Sequence, residues 1–315
     1  KDGDLDLAVA NNGDSTVSIL KNNGNGTFAP KVDYRTGNSP RWVSASDLDQ
    51  DTDTDLVVAN YNSNTVSVLM NNGDGTFAAK IDYPTGNAPA QVYASDLDGD
   101  ADYDLTVANY FGNSVSILIN NGDSTFAPKV DYPTGKNLIS IFAADLNGDN
   151  KIDLAGTNSG SNTASVLKNN GDGTFSGKVD YGTGSIPSSV FAIDLDGDGH
   201  RDLAIANASG NTVSILKNKG DGTFATKNDY STGFNPSALF ASDIDFDADL
   251  DLTVVNSGSH TVSIYRNNGD GTFGPPRDFG TGIGPLSVYT LDLDSDGDPD
   301  LAVANSGSNT VSVFK

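Results

Sequence analysis

The sequence predicts an all-β fold, a β-propeller built from four-stranded blades, and three observations predict it. The first is a repeat of constant period. The phrase NNGDGTF, with small variations, ends at Phe28, Phe77, Phe126, Phe175, Phe224 and Phe273, and each step is 49 residues. The Asp-Leu pair before the second apolar run ends at Leu7, Leu56, Leu105, Leu154, Leu203, Leu252 and Leu301 with the same step, so no insertion or deletion interrupts the series. The second observation is that each period divides into four short strand candidates, the signature of a propeller blade. The third is composition. All 42 acidic residues are Asp, there is no Glu and there are only two Gln, Gln50 and Gln91, against 35 Gly and 12 Pro. Good helix formers are missing and turn formers are abundant.

The period that starts at Ser188 shows the elements in order. Ser189 to Ile193 is the first strand, Asp202 to Asn207 the second, Thr212 to Lys217 the third and Phe224 to Tyr230 the fourth. TVSILK in the third alternates apolar and polar residues, as a half-buried strand does. Gly, Asn and Asp clusters separate the strands, and Gly-Asp-Gly between the third and fourth signals a hairpin. A β-solenoid needs fewer residues per coil, and 49 residues are too few for a free-standing sandwich. The 315 residues form a single domain of six full periods and a partial seventh. They give six first strands, seven second, seven third and six fourth. Seven blades fit this count, and six or eight are the alternatives. The chain opens KDGDLDL, in the middle of a motif, so an excerpt of a longer protein is expected. The open strand edges of the first and last blades are expected to invite self-association.

Charge excludes several functions. Net charge is −24 with no basic cluster, which argues against nucleic acid and anionic lipid as partners. No apolar run approaches the ~20 residues that span a bilayer, so no membrane insertion is expected. Without Cys, neither a disulfide framework nor a thiolate metal site can form. No catalytic constellation is visible: Glu is absent, and His200 and His260 are distant in sequence. The sequence therefore reads as that of a protein that is not an enzyme.

The acid is concentrated in one loop per period, between the first and second strands, with the pattern D-x-[DN]-x-D-x-x-x-D-L. Thirty of the 42 Asp lie in these windows. The candidate metal residues are Asp47, Asp49, Asp51, Asp53 and Asp55 in the second blade, and Asp96, Asp98, Asp100, Asp102 and Asp104 in the third. The fourth offers Asp145, Asn147, Asp149, Lys151 and Asp153, and the fifth Asp194, Asp196, Asp198, His200 and Asp202. The sixth offers Asp243, Asp245, Asp247, Asp249 and Asp251, the seventh Asp292, Asp294, Asp296, Asp298 and Asp300, and the first blade keeps Asp2, Asp4 and Asp6. Crowded carboxylates repel one another unless a counter-ion sits among them. Side chains at loop positions one, three, five and nine, with the backbone carbonyl of position seven, can surround a hard cation. An all-oxygen set suits Ca²⁺, which takes six to eight oxygens in irregular geometry. An EF-hand is excluded, because the bidentate Glu and the flanking helices are missing. The loop from Asp145, with Asn147 at position three and only three carboxylates, should bind more weakly than its neighbours.

DLDGDGHRDLAIAN from Asp194 and NTVSILKNKGDGTF from Asn211, with their counterparts along the whole chain, resemble the FG-GAP/VCBS repeat, the blade also found in the head of integrin α-subunits. The resemblance implies a seven-bladed propeller, calcium in the first-to-second loop, and an extracellular or cell-surface place. Family loops usually have Gly at position six. Here Gly3, Gly199 and Gly297 keep it, while Thr52, Ala101, Asn150 and Ala248 depart from it, and a non-Gly residue there needs a strained backbone.

Residues that break the repeat are the candidates for recognition. In the fourth-to-first loops and the strands that follow, Trp42, preceded by Arg41, stands where other blades have Ser or Ala, with Gln91 at the Trp42 position one blade on. In the second-to-third loops, Tyr61, Tyr110 and Phe111 replace small residues. These candidate ligand-binding residues fall in neighbouring blades, and exposed aromatics with Arg are typical of recognition sites. The repeating Tyr34, Tyr83, Tyr132, Tyr181 and Tyr230 read as packing residues. The expected function is a calcium-binding extracellular module for protein binding or adhesion. The alternatives are a lectin-like, glycan-binding propeller and a structural spacer of a large surface protein.

Overall fold

Alternation in TVSIL sets the blade. Thr212–Leu216 is the third strand of the fifth blade, and Val213 and Ile215 from one of its faces enter the seam with the next blade. On the other face Ser214 is also buried, but inside a polar relay described below. The computed structural model describes residues 3–25, 27–293 and 296–315. In it the chain forms seven antiparallel sheets, the blades of a seven-bladed propeller. Five sheets have four strands in sequence order. The first blade has three strands, Leu7–Asn11, Thr16–Leu20 and Val32–Arg35, equivalent to strands two to four elsewhere. The last has Pro285–Leu291, Asp300–Asn305 and Thr310–Phe314, equivalent to strands one to three. No helix of the structure is long and apolar enough to cross a membrane.

Two boundaries differ from the sequence reading. In the fifth blade the first strand runs Pro187–Ile193, starting earlier than Ser189, with a bulge between Pro187 and Ser189. The fourth strand is Asn228–Ser231, and Phe224 makes only an isolated bridge to Asn218. The turn NKGDGTF folds back through local Asn, Asp and Thr side-chain bonds, such as Thr223 Oγ1 to Asp221 Oδ1 at 2.6 Å. Those bonds give the backbone an alternative to the ladder.

Six hydrophobic clusters join the seven blades, each shared by two neighbours; among the described residues, none joins the first blade to the last. Val311 and Val313 of the last strand are correspondingly exposed. The repeating tyrosines are packing residues, as expected. Tyr83 meets Phe126 of the next blade edge-on at 5.2 Å, and Tyr34–Phe77, Tyr132–Phe175, Tyr181–Phe224 and Tyr230–Phe273 repeat the contact. Each such pair contributes about 0.5–1.5 kcal/mol beyond its buried area. This is why Phe closes every NNGDGTF phrase. On the innermost strands Tyr93, Phe142, Phe191, Phe240 and Tyr289 form an arc of rings 4.7–5.4 Å apart that crosses five blades.

Polar relays tie the strands within each blade. Asn60 Nδ2 donates to Ser67 Oγ at 2.8 Å, Ser67 Oγ donates to Asp82 Oδ1 at 2.6 Å, and Lys80 pairs with the other oxygen of Asp82. The same Asn–Ser–Asp chain recurs from Asn11, Asn109, Asn158, Asn207 and Asn256. It explains the Asn that ends each second strand and the Asp of each Asp-Tyr step. Polar side chains can be buried here because their hydrogen bonds are made within the blade.

Candidate metal centre and recognition face

The first-to-second loop is built around its own first aspartate. Asp47 Oδ2 accepts the Thr52 N–H at 2.9 Å, and Asp96, Asp145, Asp194, Asp243 and Asp292 accept the N–H at position six in the same way. To present that N–H the residue at position six turns left-handed, with φ of 72° at Thr52, 76° at Ala101, 63° at Asn150 and 74° at Ala248. The strain expected for these four non-glycine residues is therefore present, most plainly at β-branched Thr52. Position four is also left-handed, at Gln50 (60°) and Phe246 (62°), which the sequence reading missed.

The aspartate at position nine anchors the loop to the blade. Asp104 is buried; its Oδ2 accepts the Leu97 N–H at 2.9 Å and its Oδ1 the Asn120 N–H at 2.8 Å. Asn120 Nδ2 then donates to the carbonyl of Leu48, in the loop of the preceding blade, at 2.9 Å. Equivalent bonds from Asn169, Asn218 and Asn267 staple each turn to the previous loop. The constant Gly of the turn beside the loop has a steric cause. Gly122 is left-handed (φ 78°), and a Cβ there would lie 2.9 Å from Asp102 Oδ2. Side chains at position seven thus lie against this turn. Those of Lys151 and His200 do the same over Gly171 and Gly220, which leaves only their backbone carbonyls to serve as ligands.

Four loops bring carboxylates together so that one oxygen from each lies within 4.8 Å of the others. They are Asp47–Asp49–Asp55, Asp96–Asp98–Asp104, Asp194–Asp196–Asp202 and Asp243–Asp245–Asp247. These groups could hold a metal ion. Positions one, three and nine meet in three of them, and one, three and five in the last. The side chains at position seven, Asp53, Asp102 and Asp249, stay outside. The loop from Asp145, with Asn147 at position three, makes no such carboxylate group. Asp2 and Asp294 lie outside the described residues; in the same two loops Asp6 Oδ1 accepts the Asn22 N–H at 2.8 Å, and Asp300 Oδ2 accepts the Leu293 N–H at 2.8 Å.

The electrostatics of these groups would favour a cation. Burial, reinforced by the neighbouring carboxylates, pushes Asp55, Asp104 and Asp202 up to about 6. Burial raises Asp49, Asp98, Asp153 and Asp251 in the same direction. Buried oxygens without a hydrogen-bond partner include Asp47 Oδ1, Asp196 Oδ1, Asp243 Oδ1, Asp245 Oδ1 and Asp251 Oδ2. A buried carboxylate oxygen that accepts nothing is costly unless a cation faces it. The donor set is all oxygen, so the residues present fit a hard divalent ion.

The opposite face carries the repeat-breaking residues. There Arg41 stacks over the Tyr61 ring at 5.2 Å, and Tyr61 lies 6.2 Å from Tyr110 and 6.1 Å from Phe111. A bulge between Pro40 and Trp42 leaves Arg41 out of register with the ladder and exposed. Phe111 is 57 % exposed. Trp42, 36 % exposed, makes no ring–ring contact among the described residues. Gln91 does not belong to the patch: it is buried, and its Oε1 accepts the Ile141 N–H of the next blade at 2.6 Å. Its amide was read as a surface feature, but it serves the blade seam. Exposed Phe234 and Ile283, at the tips of fourth-to-first loops, also lie on this face and were missed. Departure from the polar residues at the same place in the other blades, Asn38, Asn87, Lys136 and Ser185, would have flagged them.

Comparison with solved structures places the fold in a broad class. The chain is similar to an Agrocybe aegerita lectin that recognises non-reducing terminal N-acetylglucosamine, at 21% identity and TM-score 0.64, covering 99% of this chain and 90% of the lectin. It is similar to a putative 6-phosphogluconolactonase from Bacteroides fragilis at 16% identity and TM-score 0.75, covering 100% and 91%. A streptogramin B lyase matches at 15% identity and TM-score 0.68, with the same coverage. These likenesses show the fold alone. They also correct the exclusion of an enzyme: propellers of this shape include a lyase and a putative lactonase, so the missing Glu and scattered His do not rule catalysis out, and enzyme status is not established. No curated protein matches the chain. A model of the FG-GAP-like repeat matches residues 1–58, 47–107, 96–156, 145–205, 194–254 and 243–303, and so tiles the chain. The chain belongs to the FG-GAP-like repeat family.

Proposed function

We propose that this protein is a calcium-stabilised recognition propeller of an extracellular or cell-surface setting, which binds a partner protein through the face opposite its acidic loops. The observation that carries the calcium half is the set of buried, unpartnered carboxylate oxygens inside clustered aspartates. Asp47, Asp49 and Asp55 and their counterparts would hold the ion, and the ion would neutralise their mutual repulsion. The recognition half rests on Arg41, Tyr61, Tyr110 and Phe111, gathered in two neighbouring blades. Large, rigid rings with an Arg supply contact area at low entropic cost. A second reading, sugar binding at the same patch, is favoured by the exposed Phe111 ring and by the lectin that shares the fold.

Arrayed extracellular proteins and arrayed glycans, probed in millimolar calcium, separate the two. Saturable protein hits that weaken at least tenfold in Phe111→Ala, with no glycan hits, support the protein reading; a tenfold loss is the usual size for a central aromatic contact, about 1.4 kcal/mol. Glycan hits that are lost in Tyr61→Ala or Trp42→Ala overturn it in favour of sugars. Absence of any saturable hit on either array overturns both.

A further inference from the structure

We infer that the residue that follows the third strand of each blade decides which acidic loops take calcium tightly: the loops from Asp47 and Asp96, beside Met70 and Ile119, bind the ion, whereas Lys217 and Arg266 compete with it in the loops from Asp194 and Asp243. The inference rests on the calcium reading above. The repeat places Lys21, Met70, Ile119, Lys168, Lys217, Arg266 and Lys315 at one position, directly after TVSIL or its equivalent. That position lies against loop position three. Lys217 Nζ is 2.9 Å from Asp196 Oδ2, and Arg266 Nη1 is 2.6 Å from Asp245 Oδ2. In the third blade the neighbour of the position-three carboxylate is apolar. A Cβ added at Gly173 would lie 2.6 Å from Ile119 Cδ1 and 3.5 Å from Asp98 Cβ, so Ile119 runs alongside Asp98. Met70, its counterpart in the second blade, packs on the seam between the second and third blades.

The fourth blade shows the complementary substitution. Lys168 returns beside position three, but there the residue is Asn147; a Cβ at Gly222 would lie 3.0 Å from Asn147 Cβ and 3.1 Å from Lys168 Cε. Lys168 Nζ turns to the Asp221 carbonyl of the next blade at 2.5 Å. Lys217 makes that same crossing, to the Asp270 carbonyl at 2.5 Å, while also holding Asp196. An ammonium or guanidinium on the position-three carboxylate uses one of the oxygens that an ion would need. Its positive charge also repels a divalent ion at short range. Exposed pairs of this kind are individually weak, and Asp196 Oδ1 and Asp245 Oδ1 stay unpartnered. The competition therefore lowers affinity in these two loops without abolishing it.

The test is calorimetric titration of the whole metal-stripped chain with calcium chloride, for wild type, Lys217→Met, Arg266→Met and the reverse variant Met70→Lys. Wild type should show two tight sites above a weaker class. Lys217→Met and Arg266→Met should each move one site into the tight class, with affinity raised about tenfold or more. Met70→Lys should remove one tight site. Melting in chelator shows whether each variant is folded, and the reverse variant keeps the inference falsifiable should loss of the Lys217 crossing weaken the blade seam. Isotherms that do not differ among the four chains, with calcium still bound, overturn the inference and leave the calcium reading standing. A wild-type chain that binds no calcium at millimolar concentration overturns the calcium reading and the inference with it.

Discussion

The two faces of the propeller are made of the same repeat and use it in opposite ways. On the acidic face the six whole loops spend these aspartates alike: position one closes the loop on the N–H of position six, and position nine anchors it beside the third strand. On the other face the loops are held by equally regular backbone bonds, such as Tyr61 N–H to the Ser39 carbonyl at 3.0 Å and Tyr110 N–H to the Ala88 carbonyl at 2.9 Å, but the side chains they carry vary. The difference teaches that constancy along a repeat marks what builds the blade, and departure from it marks what the blade presents. The acidic loop is unusual in belonging to both groups, since the carboxylates at positions one and nine that build it also lie, with that of position three, in the groups that could hold a metal ion.

The sharpest way to break the comparison is to remove a carboxylate at position nine. Asp104→Ala leaves the Leu97 and Asn120 N–H groups without acceptors in a buried place, and should cost about 2–5 kcal/mol in millimolar calcium by chemical denaturation. The loss should shrink in chelator, because burial raises Asp104 to about 6 and its charge then opposes folding at neutral pH. An equal loss in both conditions would make Asp104 purely structural. A smaller change sharpens the role of position three. Asp49→Asn recreates the Asp145-type loop in the second blade, keeps an oxygen, and should cost about 1 kcal/mol in millimolar calcium and nothing measurable in chelator. That size follows from one extracellular-type site with Kd near 10⁻⁴–10⁻³ M.

The fold was readable because a period of 49 with no insertion leaves each strand the same neighbours. TVSIL and DLAIAN announce buried strands by alternation and by β-branched content. The fourth strand was misjudged because Phe224 is apolar and looks like a strand start, whereas its role is to fill the seam under Tyr181. The gathering of positions one and three was readable from spacing, and position nine joins them in three loops, whereas position five joins only in the loop from Asp243. What spacing could not show is which side chains from elsewhere stand over the loop. Lys217 is 21 residues beyond Asp196 in sequence yet 2.9 Å away in space. Gln91 was misread for the same reason: its partner, the Ile141 N–H, belongs to the next blade, and a contact across the seam has no local signature. Arg41, Tyr61, Tyr110 and Phe111 could be singled out because they break the repeat, and the seam between their blades then brings them into contact.

The central claim is that the clustered loop carboxylates are a cation site on which the acidic face depends, and thermal melting of the wild-type chain tests it most directly. Melting should be compared in 1 mM calcium and in excess chelator at matched ionic strength. Loops with Kd of about 10⁻⁴–10⁻³ M each contribute roughly 0.4–1.4 kcal/mol at that concentration. The four carboxylate groups together should therefore contribute about 2–6 kcal/mol, enough to raise Tm by several degrees. A melting temperature that does not move between calcium and chelator would contradict the account.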